Sequence, residues 1–122
     1  MGKHVFREKS FGFAIKVVKV CKLLSSEQKE FVLSKQLLRS ATAIGALHRE
    51  AEHGESKADF IHKMGIAQKE CNETVYWLEL LHATEYLTEM SFNELHKEAS
   101  ELLRLCTAII KTAKQNKQTT NH

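Results

Sequence analysis

Two stretches of this chain place an apolar residue at alternating steps of three and four, and that spacing permits little besides packed helices. The first seam reads Phe60, Met64, Ala67, Cys71, Thr74, Leu78, Leu81; the second reads Phe92, Leu95, Ala99, Leu102, Cys106, Ile109, Ala113. Such a rhythm keeps one side of a helix turned toward its neighbours at shallow crossing angles. The 122 residues include no proline, the residue that most often breaks a helix interior.

Start and stop signals divide the chain into four helices. The first is expected over about residues 10–24, on a stripe of Phe11, Ile15, Val18 and Cys21. Ser25-x-x-Gln28 reads as a capping box opening a second helix over about 27–52, with Leu33, Leu37, Ala41, Ile44, His48 or Leu47, and Ala51 as its core stripe. Gly54 follows as a C-terminal cap with positive φ. Ser56-x-x-Asp59 opens a third helix over about 56–85, and Ser91-x-x-Glu94 a fourth over about 91–114. The polar tail, residues 115–122, is expected to fray. Linkers of a few residues make successive helices antiparallel neighbours. The expectation is a single all-α domain over residues 1–122, an antiparallel up-down-up-down four-helix bundle.

No apolar run approaches the roughly 20 residues that span a bilayer, and no hydrophobic region follows the basic start, so neither a membrane span nor a signal peptide is expected. Cys21, Cys71 and Cys106 are odd in number, lack C-x-x-C spacing and fall on apolar helical positions. They read as buried thiols of a protein in a reducing compartment, the cytoplasm.

The helices carry more apolar surface than one bundle needs. A second seam runs along helix one at Phe13, Val17, Val20 and Leu24; Phe31 and Leu38 lie away from the stripe of helix two; Ile66, Trp77 and Leu80 flank that of helix three. Exposed together these would form large patches, so Phe13, Val17, Val20, Phe31, Leu38, Ile66, Trp77 and Leu80 are expected to meet other copies of the chain in a homo-oligomer. Gly45 and Gly65 fall at one height of the middle hairpin, which suggests close approach to backbone there.

The net charge of +3 is uneven: residues 1–24 carry an excess of five positive charges, while residues 57–90 carry an excess of three negative ones. Lys97, Arg104 and Lys111 recur every seven residues opposite the seam of helix four, with Lys114 beside them; Lys9, Lys16 and Lys19 form a similar wedge on helix one. Together they are expected to form a basic strip that contacts phosphates without reading sequence. Glu94, Glu98 and Glu101 dilute it, and no aromatic interleaves it, which argues against base stacking.

No catalytic constellation emerges, and no enzyme activity, cofactor or metal is expected. His48 and Glu52 have a spacing that can hold an ion, but a di-iron bundle needs two Glu-x-x-His helices, and Glu79-x-x-His82 is a single copy. There is no Gly-rich phosphate loop and no H-E-x-x-H.

The residues Arg39-Ser40, Ile44-Gly45-Ala46, Glu50-Ala51, Ser56-Lys57-Ala58-Asp59-Phe60, Ile66-Ala67, Lys69-Glu70, Asn72-Glu73-Thr74 and Trp77-Leu78 resemble the signature of the four helix bundle proteins encoded in intervening sequences of bacterial 23S ribosomal RNA genes, the S23-type proteins. Lys9-Ser10-Phe11, Phe13-Ala14 and Leu33-Ser34-Lys35-Gln36-Leu37-Leu38 are similar to the same pattern. The resemblance implies a four-helix bundle assembled as a homopentameric ring, with no known catalytic residue. A related branch, the accessory variability determinant of diversity-generating retroelements, implies binding to nucleic acid and a reverse transcriptase. The functional expectation is therefore a non-enzymatic oligomer that binds RNA; the alternative is a protein-binding scaffold or accessory subunit without its own nucleic-acid contact. The chain departs from the pattern at Leu47-His48-Arg49, where many members read Asn-Ile-Ala, and this places His48 on the core side, about 40° from Ile44.

Overall fold

The computed structural model describes the backbone of residues 2–120 and the side chains of residues 5–116. Its helices are α1 (Gly2–Gln28), α2 (Leu33–Glu52), α3 (Lys57–Ala83) and α4 (Glu89–Thr120), with no strand among the described residues. The chain is an all-α four-helix bundle in which α1 and α3 each pack against α2 and α4. Among the described residues, no helix is long and apolar enough to cross a membrane.

The two 3–4 seams form much of the core. Met64, Ala67, Cys71, Thr74, Leu78 and Leu81 of α3 are buried, as are Leu95, Ala99, Leu102 and Cys106 of α4. Phe60, Phe92 and Ile109 pack half-buried against them. Leu37, Ala41, Ile44, His48 and Ala51 complete the stripe of α2. The hydroxyl of Thr74, a polar group in the core, lies 2.9 Å from Ser40 Oγ and 2.7 Å from the Glu70 carbonyl, so burial leaves it bonded.

Helix α1 is turned by about a third of a revolution from the expected orientation. It buries Phe6, Phe13, Val17 and Leu24, together with Ser10 and with Cys21 of the expected stripe, while Phe11 is 56% exposed and Ile15 42% exposed. Phe13 and Val17 are fully enclosed by the chain's own helices, so neither has surface to offer a second subunit, and their assignment to an oligomer contact is corrected. Both faces of α1 are apolar, and only the one that meets the seams of the other helices closes the core.

Helix boundaries also differ at the turns. Ser25-x-x-Gln28 caps nothing: α1 continues through it, with Ser25 Oγ donating back to the Cys21 carbonyl at 3.0 Å. The stop comes at Lys29, left-handed at φ 57°, followed by a bond from the Glu30 N–H to the Leu24 carbonyl at 3.0 Å, a Schellman-type closure. The carboxylate of Glu30 then accepts from the N–H groups of Leu33 at 3.0 Å and Ser34 at 2.7 Å, and this caps α2. Burial works against charge on Glu30, but these N–H groups together outweigh it and hold its pKa below the ordinary glutamate value. Ser56 caps α3 as expected, accepting from the Asp59 N–H at 3.0 Å. At α4 the cap is Thr88, three residues before the expected Ser91, accepting from the Ser91 N–H at 3.1 Å. The helix runs on to Thr120 through most of the polar tail; residues 121 and 122 lie outside the described residues.

Gly54 does not adopt positive φ. Its missing side chain makes room instead: a Cβ there would run into the carboxylate of Asp59. At Gly45 a Cβ would meet Ser10 Oγ of α1 at 3.1 Å, so close approach does occur there; at Gly65 it would meet nothing within 4 Å.

Candidate nucleic-acid interface and a buried histidine

The seam between α1 and α4 is ionic on its outside. Lys9 Nζ lies 3.2 Å from Glu101, and Lys16 Nζ lies 2.8 Å from Glu94 while also reaching Glu98. Held first by Glu94 and then by Glu98, the Lys16 ammonium is raised above its ordinary pKa. Lys9, Lys16, Glu98 and Glu101 line a cleft of about 340 Å³ with Gly12 and Leu102. The acidic residues expected to dilute the basic strip therefore face α1 and are matched by Lys9 and Lys16.

What remains on the outside of α4 is a row of one sign. Lys97, Arg104, Lys111 and Lys114 are exposed, and none has an ion-pair partner among the described residues. Lys111 lies fourteen positions beyond Lys97 on the helix, about 21 Å at about 1.5 Å per residue. Lys19 on α1 is likewise exposed and unpaired among the described residues. The structure thus leaves Lys19, Lys97, Arg104, Lys111 and Lys114 open to solvent and places Lys9 and Lys16 in ion pairs.

The histidines spread out rather than converge. His96 Nε2 pairs with Glu79 at 3.1 Å, and His82 Nε2 with Glu89 at 3.0 Å. The Glu79-x-x-His82 spacing thus joins neither residue to the other. Phe92 lies between the two rings, stacked on His82 with centroids 4.0 Å apart. Among the described residues, no group of three or more His, Cys, Asp or Glu comes together as a metal site. The cysteines are buried. Burial pushes the Cys21 thiol up to about 11, and Cys71 is raised by the Cys106 thiol 3.9 Å away and by burial. Thiols held protonated in this way are poor nucleophiles.

His48 is only 4% exposed, with the ring of Phe6 packed at 4.8 Å. Its Nδ1 is buried without a hydrogen-bond partner, and the nearest carboxylate oxygen, Glu52 Oε1, stands 3.8 Å away. Burial lowers its pKa, as do Arg7 and Arg49, against an opposing pull from Glu52. Sequence reasoning placed this ring on the core side, and the structure agrees.

A family model describing the 23S rRNA-intervening sequence protein matches residues 3–108. The chain belongs to that family. It is also similar to a crystal structure of a protein of unknown function from the S23 ribosomal protein family, from Bacteroides thetaiotaomicron VPI-5482: 51% identity, 91% of this chain and 99% of the other covered, TM-score 0.89. No curated protein matches the chain.

The remaining contact candidates are scattered. Phe31 is exposed, in the turn between α1 and α2, beside the more exposed Val32. Val20, Leu38 and Trp77 are half-buried against the core, and Ile66 and Leu80 are half-buried on α3. Trp77 Nε1 donates to Glu73 at 3.2 Å, and Glu73 in turn pairs with Arg39 of α2. The stripe that sequence reasoning missed is Phe11, Ile15 and Val18, which it had assigned to the core of α1. Arg49 of α2 lies over the Phe11 ring, 5.4 Å from its centroid.

Proposed function

We propose that this protein is a non-enzymatic, cytoplasmic homo-oligomer, an antiparallel up-down-up-down bundle assembled as a pentameric ring, that contacts RNA through α4. One observation carries the RNA reading: Lys97, Arg104 and Lys111 form a solvent-facing row from which the neighbouring carboxylates are turned away toward α1. A linear array of cations without interleaved aromatics suits a phosphate backbone rather than bases. Lys19 and Lys114 extend the charge. Lys9 and Lys16 contribute through space only, since each is already matched by a carboxylate.

Support for the antiparallel arrangement comes from pairings that run in opposite numerical order: Lys9 with Glu101 and Lys16 with Glu94, Arg39 with Glu70 and Glu50 with Lys63. Support for self-association comes from the outward stripe of Phe11 and Ile15 and from exposed Phe31, with Leu38, Ile66, Trp77 and Leu80 as further contacts. The same apolar stripe favours the second reading, a scaffold that docks a protein partner.

Fluorescence anisotropy with an unstructured RNA oligonucleotide across a salt series tests the first reading. Three phosphate contacts to single-stranded RNA predict that Lys97→Ala/Arg104→Ala/Lys111→Ala lowers the slope of log K against log salt by about 2. Substituting Lys9 and Lys16 by alanine should change that slope far less. Binding without a salt slope, or a triple variant that binds like the parent, rejects phosphate contact. Light scattering tests the assembly: a homogeneous 13.9 kDa species rejects it.

A further inference from the structure

Beside His48 lies a cavity of about 560 Å³, lined among the described residues by His48 and Glu52 of α2, Phe60 of α3, and Ala108, Ile109, Thr112, Ala113 and Asn116 of α4. This is the size range of small-molecule sites, and its make-up is theirs too: apolar walls with a few convergent polar groups. The polar groups are uneven in kind. Glu52 is a carboxylate, 28% exposed, whose nearest partner is the ring of His48 at 3.8 Å. That distance is too long for a direct hydrogen bond. The imidazole nitrogen facing it is buried and bonded to nothing, an arrangement that native interiors rarely keep unless something supplies the missing partner.

We infer that this cavity binds a small primary amine with a compact apolar body. The apolar part lies against Phe60, Ile109 and Ala113. The ammonium donates one hydrogen bond to Glu52 and a second toward His48 Nδ1, since one donor atom carrying two hydrogens can satisfy two acceptors 3.8 Å apart. Neutral imidazole is the form required for that second bond, and the burial of His48 favours it. Nδ1 is sealed from solvent in the present side-chain arrangement, so entry requires neighbouring side chains to move; Glu52, in the last turn of α2, is the partly exposed one among them. Arg7 and Arg49 lie within electrostatic reach of His48, but neither lines the cavity, and Arg49 rests on Phe11. An anion would meet an unmatched carboxylate. A neutral apolar molecule would leave both acceptors unsatisfied. The inference goes beyond the RNA reading and uses none of its residues.

Three molecules of one shape decide the question: phenethylamine, 2-phenylethanol and 3-phenylpropionate. Each is titrated into the full chain while the imidazole nitrogens of His48 are followed by long-range proton–nitrogen NMR. Saturable binding of the amine with movement of the Nδ1 resonance is expected, with the alcohol weaker by roughly tenfold or more, as for loss of a charge-assisted hydrogen bond. The carboxylate should not bind. Glu52→Gln, at a partly exposed position that leaves the fold intact, should bring amine and alcohol to equal affinity. Absence of saturable amine binding, equal binding of amine and alcohol by the parent, or an amine preference that persists in Glu52→Gln overturns the inference.

Discussion

The orientation of α1 can be tested by paired truncations. Phe13 is fully buried and Phe11 is 56% exposed, although they are two residues apart and of one type. Removing a buried phenylalanine forfeits its transfer free energy and leaves a cavity, together about 3–5 kcal/mol. With an unfolding entropy of about 2.1 cal/mol/K per residue, 122 residues give about 0.26 kcal/mol/K, so Phe13→Ala should lower Tm by about 15 °C. Against a total stability of about 6–18 kcal/mol for a chain of this length, the variant still folds, so its Tm can be measured. Phe11→Ala loses half-exposed surface and the Arg49 contact, about 1 kcal/mol in all, hence about 4 °C. Calorimetry at low protein concentration, where self-association contributes least, gives both values. If Phe11→Ala costs more than Phe13→Ala there, the α1 face assigned to the core is wrong. Repetition at high concentration adds information: if Phe11 meets another copy, the cost of Phe11→Ala grows with concentration and that of Phe13→Ala does not.

Two further substitutions probe backbone chemistry. Gly65→Ala should stabilise by about 1 kcal/mol in thermal unfolding, since alanine is the better helix former and its methyl would meet no atom within 4 Å; a loss that deepens at high concentration would instead reveal a neighbour packed there. Glu30→Gln should cost about 1 kcal/mol in urea unfolding through weakened capping of α2. Because the folded pKa of Glu30 is lowered, its contribution is full above the unfolded glutamate value near 4.3 and is lost as pH falls through the folded value. The difference between parent and variant should therefore shrink in acid, and a difference independent of pH would refute the cap.

Sequence reasoning reached α3 and α4 because each has one apolar face and one polar face, so periodicity alone turns the helix. It misjudged α1 because Phe11, Ile15 and Val18 on one side equal Phe13, Val17 and Val20 on the other, and the helix's own sequence holds nothing to choose between them. The first turn was hidden for a different reason. Lys29 stops α1 without glycine, and Glu30 caps α2 from four residues ahead of Ser34, while Ser25-x-x-Gln28 offers a false cap inside α1. In the candidate interface, exposure of Lys97, Arg104 and Lys111 was readable from their distance to the seam. The pairing of Lys9 and Lys16 was not, because it depends on how α1 and α4 are aligned along their lengths. His48 was readable by position; its unbonded nitrogen depends on side-chain geometry.

The ionic seam between α1 and α4 separates two things that surface charge usually ties together. Lys9, Lys16, Glu94, Glu98 and Glu101 pair with one another across those helices, whereas Lys97, Arg104 and Lys111 form none of the ion pairs among the described residues. Substitution along that outer row should change stability by about 0.5 kcal/mol or less. The basicity of α4 can therefore drift, strengthen or reverse over evolutionary time with the fold left intact, and a bundle of this design could exchange one charged partner for another without rebuilding its core.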